Sequence, residues 1–172
     1  MKQFALLALI ACSLPLVPTA RAEEPAVVTE YEVLANSLME SVNVAQTREE
    51  ITAIQNGARD LIHLGWQVMD YYGAEFPECA VQFEEMKAQL PGSENMPIPQ
   101  LREKFHNAVG LSPAPKYCYF GRAMAYYPFV SIIRLNFDLD EPTRKKVVHH
   151  FFEAVEHVND IREKVAGKAQ AN

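Results

Sequence analysis

The sequence predicts an all-helical bundle of about five to six helices, closed by one disulfide. Three observations support this prediction. Apolar residues recur at steps of three and four over long stretches, threonine–glutamate capping signals precede two helical stretches, and no stretch shows the strict alternation of a half-buried strand. Because 49% of the 172 residues are hydrophobic and 22% are charged, the chain has the composition of one domain with a sizeable core.

Residues 1–22 have the pattern of a secretory signal peptide. Lys2 stands near the start, an apolar run covers residues 4–11, and a small residue, Ala22, ends the segment. We expect cleavage after Ala22 and export to the periplasm. The mature protein is then a single helical domain of residues 23–172.

A second cleavage site stays open as an alternative. Residues 9–12 also fit the lipobox of bacterial lipoproteins, and cleavage there would leave a lipidated Cys12 anchored at a membrane surface. Elsewhere the longest uncharged apolar run, residues 123–133, falls far short of the roughly 20 residues that a membrane-spanning helix needs. We therefore expect no transmembrane span in the mature chain.

The charge balance argues against a nucleic-acid partner. Removing residues 1–22 removes Lys2 and Arg21 and no acidic residue, which leaves 14 basic and 22 acidic residues and a formal charge of −8. Nucleic-acid affinity depends on neutralising phosphates with lysine and arginine. The expected partner is a protein or a small ligand, and the sequence leaves the oligomeric state open.

Two cysteines, Cys79 and Cys118, remain in the mature chain. Only one intramolecular pairing is possible, and an oxidising compartment favours it. Closing a loop of about 40 residues stabilises the fold by roughly 4 kcal/mol in the chain-entropy estimate. Neither a CxxC redox motif nor a CxxCH haem-attachment motif occurs in the sequence.

Two capping boxes predict helix starts near residues 29 and 47. Thr29 with Glu32, and Thr47 with Glu50, have the Thr-x-x-Glu spacing that satisfies the unpaired amides of a helix start. The second of these helices has the clearest apolar seam of the chain. Its members are Ile51, Ile54, Ala58, Leu61, Gly65, Val68 and Tyr72.

A third helix is predicted from Pro77, followed by a loop and a short helix. Its seam consists of Cys79, Phe83, Met86 and Leu90, so the disulfide cysteine is expected in the core. Prolines and a glycine predict a loop over 91–99, and residues 111–116 break the chain again. The short helix between them is predicted to turn three residues inward: Leu101, Phe105 and Ala108.

The last two helices follow from an aromatic segment and a long seam. Residues 117–129 hold six aromatics and are expected to be the most buried element, with Pro128 kinking or ending the helix. Asp140 and Pro142 suit the start of the last helix, and Gly167 suits its end. The seam of this helix is Val147, Phe151, Ala154, Val158, Ile161 and Val165.

The stretch HHFFEAVEH, residues 149–157, raises the question of a metal site. Steps of four separate His149, Glu153 and His157, so neighbouring members are close enough for two of them to bind one ion. A tight metal site needs three or four ligands, so another helix would have to contribute. The available acid-x-x-His pairs are Asp60 with His63 and Glu103 with His106.

We interpret this stretch as the solvent-exposed edge of a helix and predict no metal site. Because Val147 and Phe151 take the core positions, His150 and His157 are expected to border the seam. His149 and Glu153 are then expected to be solvated.

The stretch NVAQTREEIT, residues 43–52, resembles the turn between the first two helices of the soluble b-type four-helix cytochromes, which are periplasmic bundles. The resemblance implies haem b, held by a methionine near the start of the first helix and a histidine near the end of the last. The methionine position is Val28 in this chain, and Met39 with His157 are the substitutes. We predict no cofactor, with haem b or a divalent metal as the alternative.

The aromatic segment also holds the candidate ligand-binding residues Tyr119, Arg122 and Tyr126. A helix with these residues can line a cleft for an aromatic or anionic group, with Arg122 as the anchor. It can also form the core, with Arg122 paired to an acid on a neighbouring helix. We favour the core, because aromatic stripes on helices are usually buried.

The motifs of common catalytic sites do not occur in the sequence. It contains no GxSxG elbow, P-loop, HExxH or Rossmann glycine pattern. We therefore expect a non-enzymatic periplasmic helical protein that binds a partner protein or a small ligand, in an accessory, stress or immunity-type role. The alternative is a haem- or metal-binding bundle in electron transfer or metal handling.

Overall fold

The computed structural model describes residues 24–137 and 139–171, so the expected signal peptide and Cys12 lie outside the described residues. Within this range the chain forms six α-helices and no strand, which confirms the predicted all-helical bundle. The helices are α1 (Ala26–Val44), α2 (Arg48–Glu75), α3 (Pro77–Gln89), α4 (Ile98–Leu101), α5 (Cys118–Arg134) and α6 (Glu141–Ala171). A 3-10 turn (Leu90–Gly92) follows α3, and a π-helical turn (Arg102–His106) follows α4. Among the described helices, none combines the length and the hydrophobicity that a membrane-spanning segment requires.

The four long helices α1, α2, α5 and α6 form an antiparallel bundle in ring order. Arg162 near the end of α6 binds Glu32 near the start of α1, at 2.7 Å. At the other end of the same pair, Arg144 of α6 donates to the carbonyls of Val42 and Ala45. The packed faces are the predicted seams, because every predicted seam residue of α2 is buried, and so is every one of α6 except the half-buried Val165.

The predicted disulfide links the segment between α2 and α5, residues 76–117, to the bundle. Helix α3 packs on α2 and α5. Cys79 of α3 is bonded to Cys118, the first residue of α5, and both side chains are completely buried. This bond confirms the predicted pairing.

Two predicted helix boundaries and one predicted core position need correction. The capping box at Thr47 is present, but α1 begins at Ala26, and the Thr29 hydroxyl lies inside the helix and donates to Glu24 Oε1 at 3.3 Å. Helix α6 continues past Gly167, which is exposed, to Ala171. Ala108 is half-buried rather than in the core, because it follows the π-helical turn with a φ of 60° instead of continuing a helix.

Helix α5 runs through Pro128 without ending there. A proline inside a helix cannot donate to the carbonyl four residues earlier, which here belongs to Met124. The hydroxyl of Tyr31 in α1 donates to that carbonyl instead, at 2.8 Å, and Tyr31 is completely buried. A side chain from a neighbouring helix thus supplies the hydrogen bond that Pro128 removes.

Gly65 lets α2 approach the same carbonyl. A Cβ atom at Gly65 would lie 2.5 Å from Met124 O, which is backbone and cannot rotate away. We expect Gly65→Ala to lower the free energy of unfolding by about 1–3 kcal/mol, because the two helices must move apart. Chemical denaturation measures this change.

Gly57→Ala is the matched control for Gly65→Ala. A Cβ at Gly57 would meet only the side chain of Leu38, whose Cδ2 methyl would lie 2.7 Å away and can turn aside. Because alanine also favours the helix by about 1 kcal/mol, the control is expected to be neutral or stabilising. Equal destabilisation of the two variants would contradict the assignment of Gly65 to a close helix contact.

Candidate ligand-binding cleft

A cleft of about 370 Å³ lies where α4 and the π-helical turn meet α5 and α6. We name it the arginine cleft. Its polar lining consists of Arg102, His106, Arg134, His149 and His150. Its other lining residues are Ile98, Pro99, Tyr126, Tyr127 and Val130. None of the described lining residues is a carboxylate, although the chain as a whole is acidic.

The two arginines of the cleft have no acidic partner among the described residues. Neither Arg102 nor Arg134 takes part in any of the ion pairs found there. Arg134 Nε is buried and has no hydrogen-bond partner in the described part of the chain, and burial lowers the pKa of this guanidinium. The cleft therefore holds positive charge that is partly removed from water and is not compensated by a described carboxylate.

Two further lining residues are held in their neutral forms. Burial lowers the pKa of His150 to about 3, with further lowering from the charges of Arg134, His149 and Lys146. Burial raises the pKa of Tyr126 to about 12, so its hydroxyl keeps its proton at neutral pH. The cleft thus offers hydrogen-bond donors beside its cationic groups.

A series of hydrogen-bonded side chains extends from the cleft into the contact between α5 and α6. His106 Nε2 lies 2.9 Å from the Tyr119 hydroxyl, which lies 2.8 Å from the Tyr127 hydroxyl. The Tyr127 hydroxyl donates to Glu153 Oε2 at 3.3 Å. Two of its members, His106 and Tyr127, also line the cleft.

His157 lies beside these hydrogen-bonded side chains and is more buried than expected for a residue at the border of the seam. Its side chain is 12% exposed, and its ring stands edge-on to Tyr119, with 4.9 Å between ring centroids. Nδ1 lies 2.7 Å from Asp160 Oδ2. Nε2 is buried without a hydrogen-bond partner, 3.9 Å from Glu153 Oε2.

The structure places the three predicted ligand-binding residues in different surroundings. Tyr126 lines the arginine cleft, while Tyr119 belongs to the hydrogen-bonded chain behind it. Arg122 is buried and binds Gln82 Oε1 and the carbonyls of Phe105 and His106.

Arg122 therefore lies in the core and holds the π-helical turn against α5. Its partners are an amide and two carbonyl groups rather than the expected acid. Burial lowers the pKa of Arg122 to about 10.

The weak metal candidates meet only in pairs. Glu153 lies 3.4 Å from His149 and 3.9 Å from His157. Within the described residues, no group of three or more histidine, cysteine or acidic side chains is arranged to hold a metal ion. His149 is exposed as expected, but Glu153 is half-buried, because it packs beside Tyr127 and accepts its hydrogen bond.

The contacts described for His157 do not include Val28 or Met39, the residues named with it from the cytochrome resemblance. Val28 is completely buried and Met39 is half-buried, both on α1. The ring and hydrogen-bond contacts described for His157 are with α5 and with its own helix.

Sequence reasoning missed Arg102 and Arg134 as possible anchors. For Arg134 a signal was present, because Tyr126, Val130 and Arg134 follow one another at steps of four and so share one face of α5. No sequence pattern of this kind indicates Arg102. It lines the cleft only because the segment between α2 and α5 packs against α5.

No protein-family model, curated protein or solved structure matches this chain. The function must therefore be inferred from the side chains themselves.

Proposed function

We propose that this protein is a non-enzymatic periplasmic binding protein whose arginine cleft holds a small anionic ligand with an apolar part. The observation that carries the proposal is the pair of arginines, Arg102 and Arg134, in a cleft whose described lining holds no carboxylate. The expected export signal in residues 1–22 supports the location, and the lack of a catalytic motif in the sequence supports a binding role.

The charge of the ligand follows from the chemistry of the two guanidinium groups. Arginine binds carboxylates and phosphates through two parallel hydrogen bonds, which are stronger than bonds between neutral groups. A buried polar N–H without a partner is costly, and an anionic ligand that accepts from Arg134 Nε offsets that cost. An anion is thus the ligand charge that the cleft favours.

The apolar part follows from the other walls. Ile98, Pro99 and Val130 present aliphatic groups, and the ring of Tyr126 adds an aromatic face whose hydroxyl keeps its proton. A volume of about 370 Å³ lies within the range of small-molecule sites. An aryl or branched alkyl group bearing one carboxylate or phosphate matches these features.

Calorimetric titration with benzoate, and with benzyl alcohol as its neutral counterpart, tests the proposal. We expect benzoate to bind and benzyl alcohol to bind much more weakly. Arg134→Gln and Arg102→Gln are each expected to weaken benzoate binding by about 10-fold or more, because each removes a charge-assisted hydrogen bond.

Arg59→Gln is the matched control for the two arginine variants. Arg59 is exposed on α2 and lines a different groove, beside Trp66. Its substitution is expected to leave the affinity for benzoate unchanged. Equal weakening by all three substitutions would mean that benzoate responds only to overall charge, and the proposed site would then be wrong.

A further inference from the structure

His106 occupies the middle of a hydrogen-bonded relay that ends on a carboxylate at each side. We name this set the carboxylate-terminated relay. In spatial order its members are Glu103, Asn107, His106, Tyr119, Tyr127 and Glu153. Because an ionised carboxylate can only accept hydrogen bonds, the two ends fix the direction of every link between them.

The Glu153 end requires a hydrogen on His106 Nε2. Tyr127 donates its only hydroxyl hydrogen to Glu153, so at the 2.8 Å contact between the two tyrosines the donor must be Tyr119. Tyr119 then has no hydrogen left for His106. The 2.9 Å contact between Tyr119 and His106 Nε2 is a hydrogen bond only if Nε2 donates.

The Glu103 end requires a hydrogen on His106 Nδ1. Asn107 Nδ2 donates to Glu103 Oε1 at 3.0 Å, which turns Asn107 Oδ1 toward His106 Nδ1 at 2.9 Å. An amide oxygen accepts, so Nδ1 must donate. The reversed amide would set its oxygen against the Glu103 carboxylate.

All links of the relay are therefore satisfied together only when both ring nitrogens of His106 carry hydrogen. We infer that His106 is a proton-dependent element of the arginine cleft, and that an anion entering the cleft draws the second proton onto this ring. The coupling to a ligand rests on the proposed function. In the neutral ring one link lacks a hydrogen, so one hydrogen bond is lost either between His106 and Glu153 or between His106 and Glu103.

The charges around His106 oppose protonation while the cleft is empty. Burial lowers the pKa of His106, and Arg102 on its own segment, Arg122 from α5 and His157 from α6 add to the lowering, whereas the hydrogen bond to Asn107 raises it. The tyrosines facing the ring from α5, Tyr119, Tyr126 and Tyr127, all have raised pKa values and are neutral at physiological pH.

An anion beside Arg102 offsets the positive charges that face the ring and so raises the pKa of His106. Binding then takes up protons. The affinity for the anion is expected to rise as the pH falls through the pKa of His106 in the complex, and to level off below its pKa in the empty protein.

The first test follows the ring resonances of His106 by NMR from about pH 4 to about pH 8, a range extended downward from that of ordinary histidines because burial lowers the pKa of His106. Tyr127→Phe removes the acceptor of the Tyr119 hydrogen, so Tyr119 becomes free to donate to a neutral His106. The titration midpoint of His106 is expected to fall by about half to one pH unit, the equivalent of one net hydrogen bond.

Tyr126→Phe is the matched control in this titration. It also removes a hydroxyl from a ring near His106, with 5.4 Å between centroids, but Tyr126 forms no link of the relay. Its effect on the midpoint is expected to be small. Equal midpoints in Tyr127→Phe and Tyr126→Phe would overturn the role of the relay.

The second test measures proton uptake when benzoate binds, by calorimetry in two buffers with different ionisation enthalpies. Uptake is expected in the unmodified protein and is expected to fall strongly in His106→Gln, while His63→Gln, exposed on α2, retains it. Benzoate binding without proton uptake would overturn the coupling and leave the proposed function standing. Absence of benzoate binding would overturn both, and the titration would still decide whether the relay demands the proton.

Discussion

Replacing Phe151 by alanine is expected to lower the free energy of unfolding by about 3–5 kcal/mol. Phe151 is completely buried on α6, in the core that this helix shares with the other long helices. Truncation removes a large apolar group from that core and leaves a cavity, and both effects favour the unfolded state. Urea denaturation followed by circular dichroism measures the loss.

Phe152→Ala is the matched control for Phe151→Ala. The neighbouring phenylalanine has the same chemistry but is 47% exposed. Since surface substitutions usually change stability by no more than about 0.5 kcal/mol, the control is expected to stay close to the unmodified protein. Losses of equal size at the two positions would contradict the orientation of α6 in the bundle.

Breaking the disulfide is expected to cost about 4 kcal/mol of stability in the chain-entropy estimate. The bond joins residues 39 apart in sequence, and reduction restores the freedom of that loop in the unfolded chain. The measurement compares the urea midpoints of the oxidised protein and the Cys79→Ala/Cys118→Ala variant.

The reduced, unmodified protein is the control for the lost sulfur atoms. Both cysteines are completely buried, so alanine adds a small packing defect that reduction alone does not create. The reduced protein is expected to unfold at a urea concentration between those of the variant and the oxidised form. Coinciding midpoints for the oxidised and reduced protein would show that the bond contributes nothing to stability.

Helices with a clear seam and a local start signal were predictable because both features depend on residues close in sequence. The seam of α2 and the capping box at Thr47 are of this kind. The capping signal at Thr29 and the stop signal at Gly167 do not set the observed helix ends, since α1 begins at Ala26 and α6 continues to Ala171. At Pro128 the helix does not end, and the missing hydrogen bond is supplied by Tyr31, 93 residues from its acceptor Met124.

The candidate site was predictable only in part. The aromatic segment around Tyr126 was recognised as a possible cleft wall, and Tyr126 does line the arginine cleft. Arg122 carried the same sequence signal as a cleft anchor but lies in the core, because the π-helical turn offers it two carbonyl oxygens. Whether an arginine faces a cleft or a neighbouring backbone depends on which segment folds beside it.

The sequence by itself determined the helical architecture and the disulfide, since helix periodicity, capping residues and a single pair of cysteines after residue 22 can be read along the chain. Only the tertiary structure decided that Arg102, from the π-helical turn, and Arg134, from α5, share one cleft with histidines of α6. It also placed His106 between two carboxylates of different segments. The physical reason is that such groupings arise from helix packing between residues distant in sequence, whereas helix periodicity arises from neighbours.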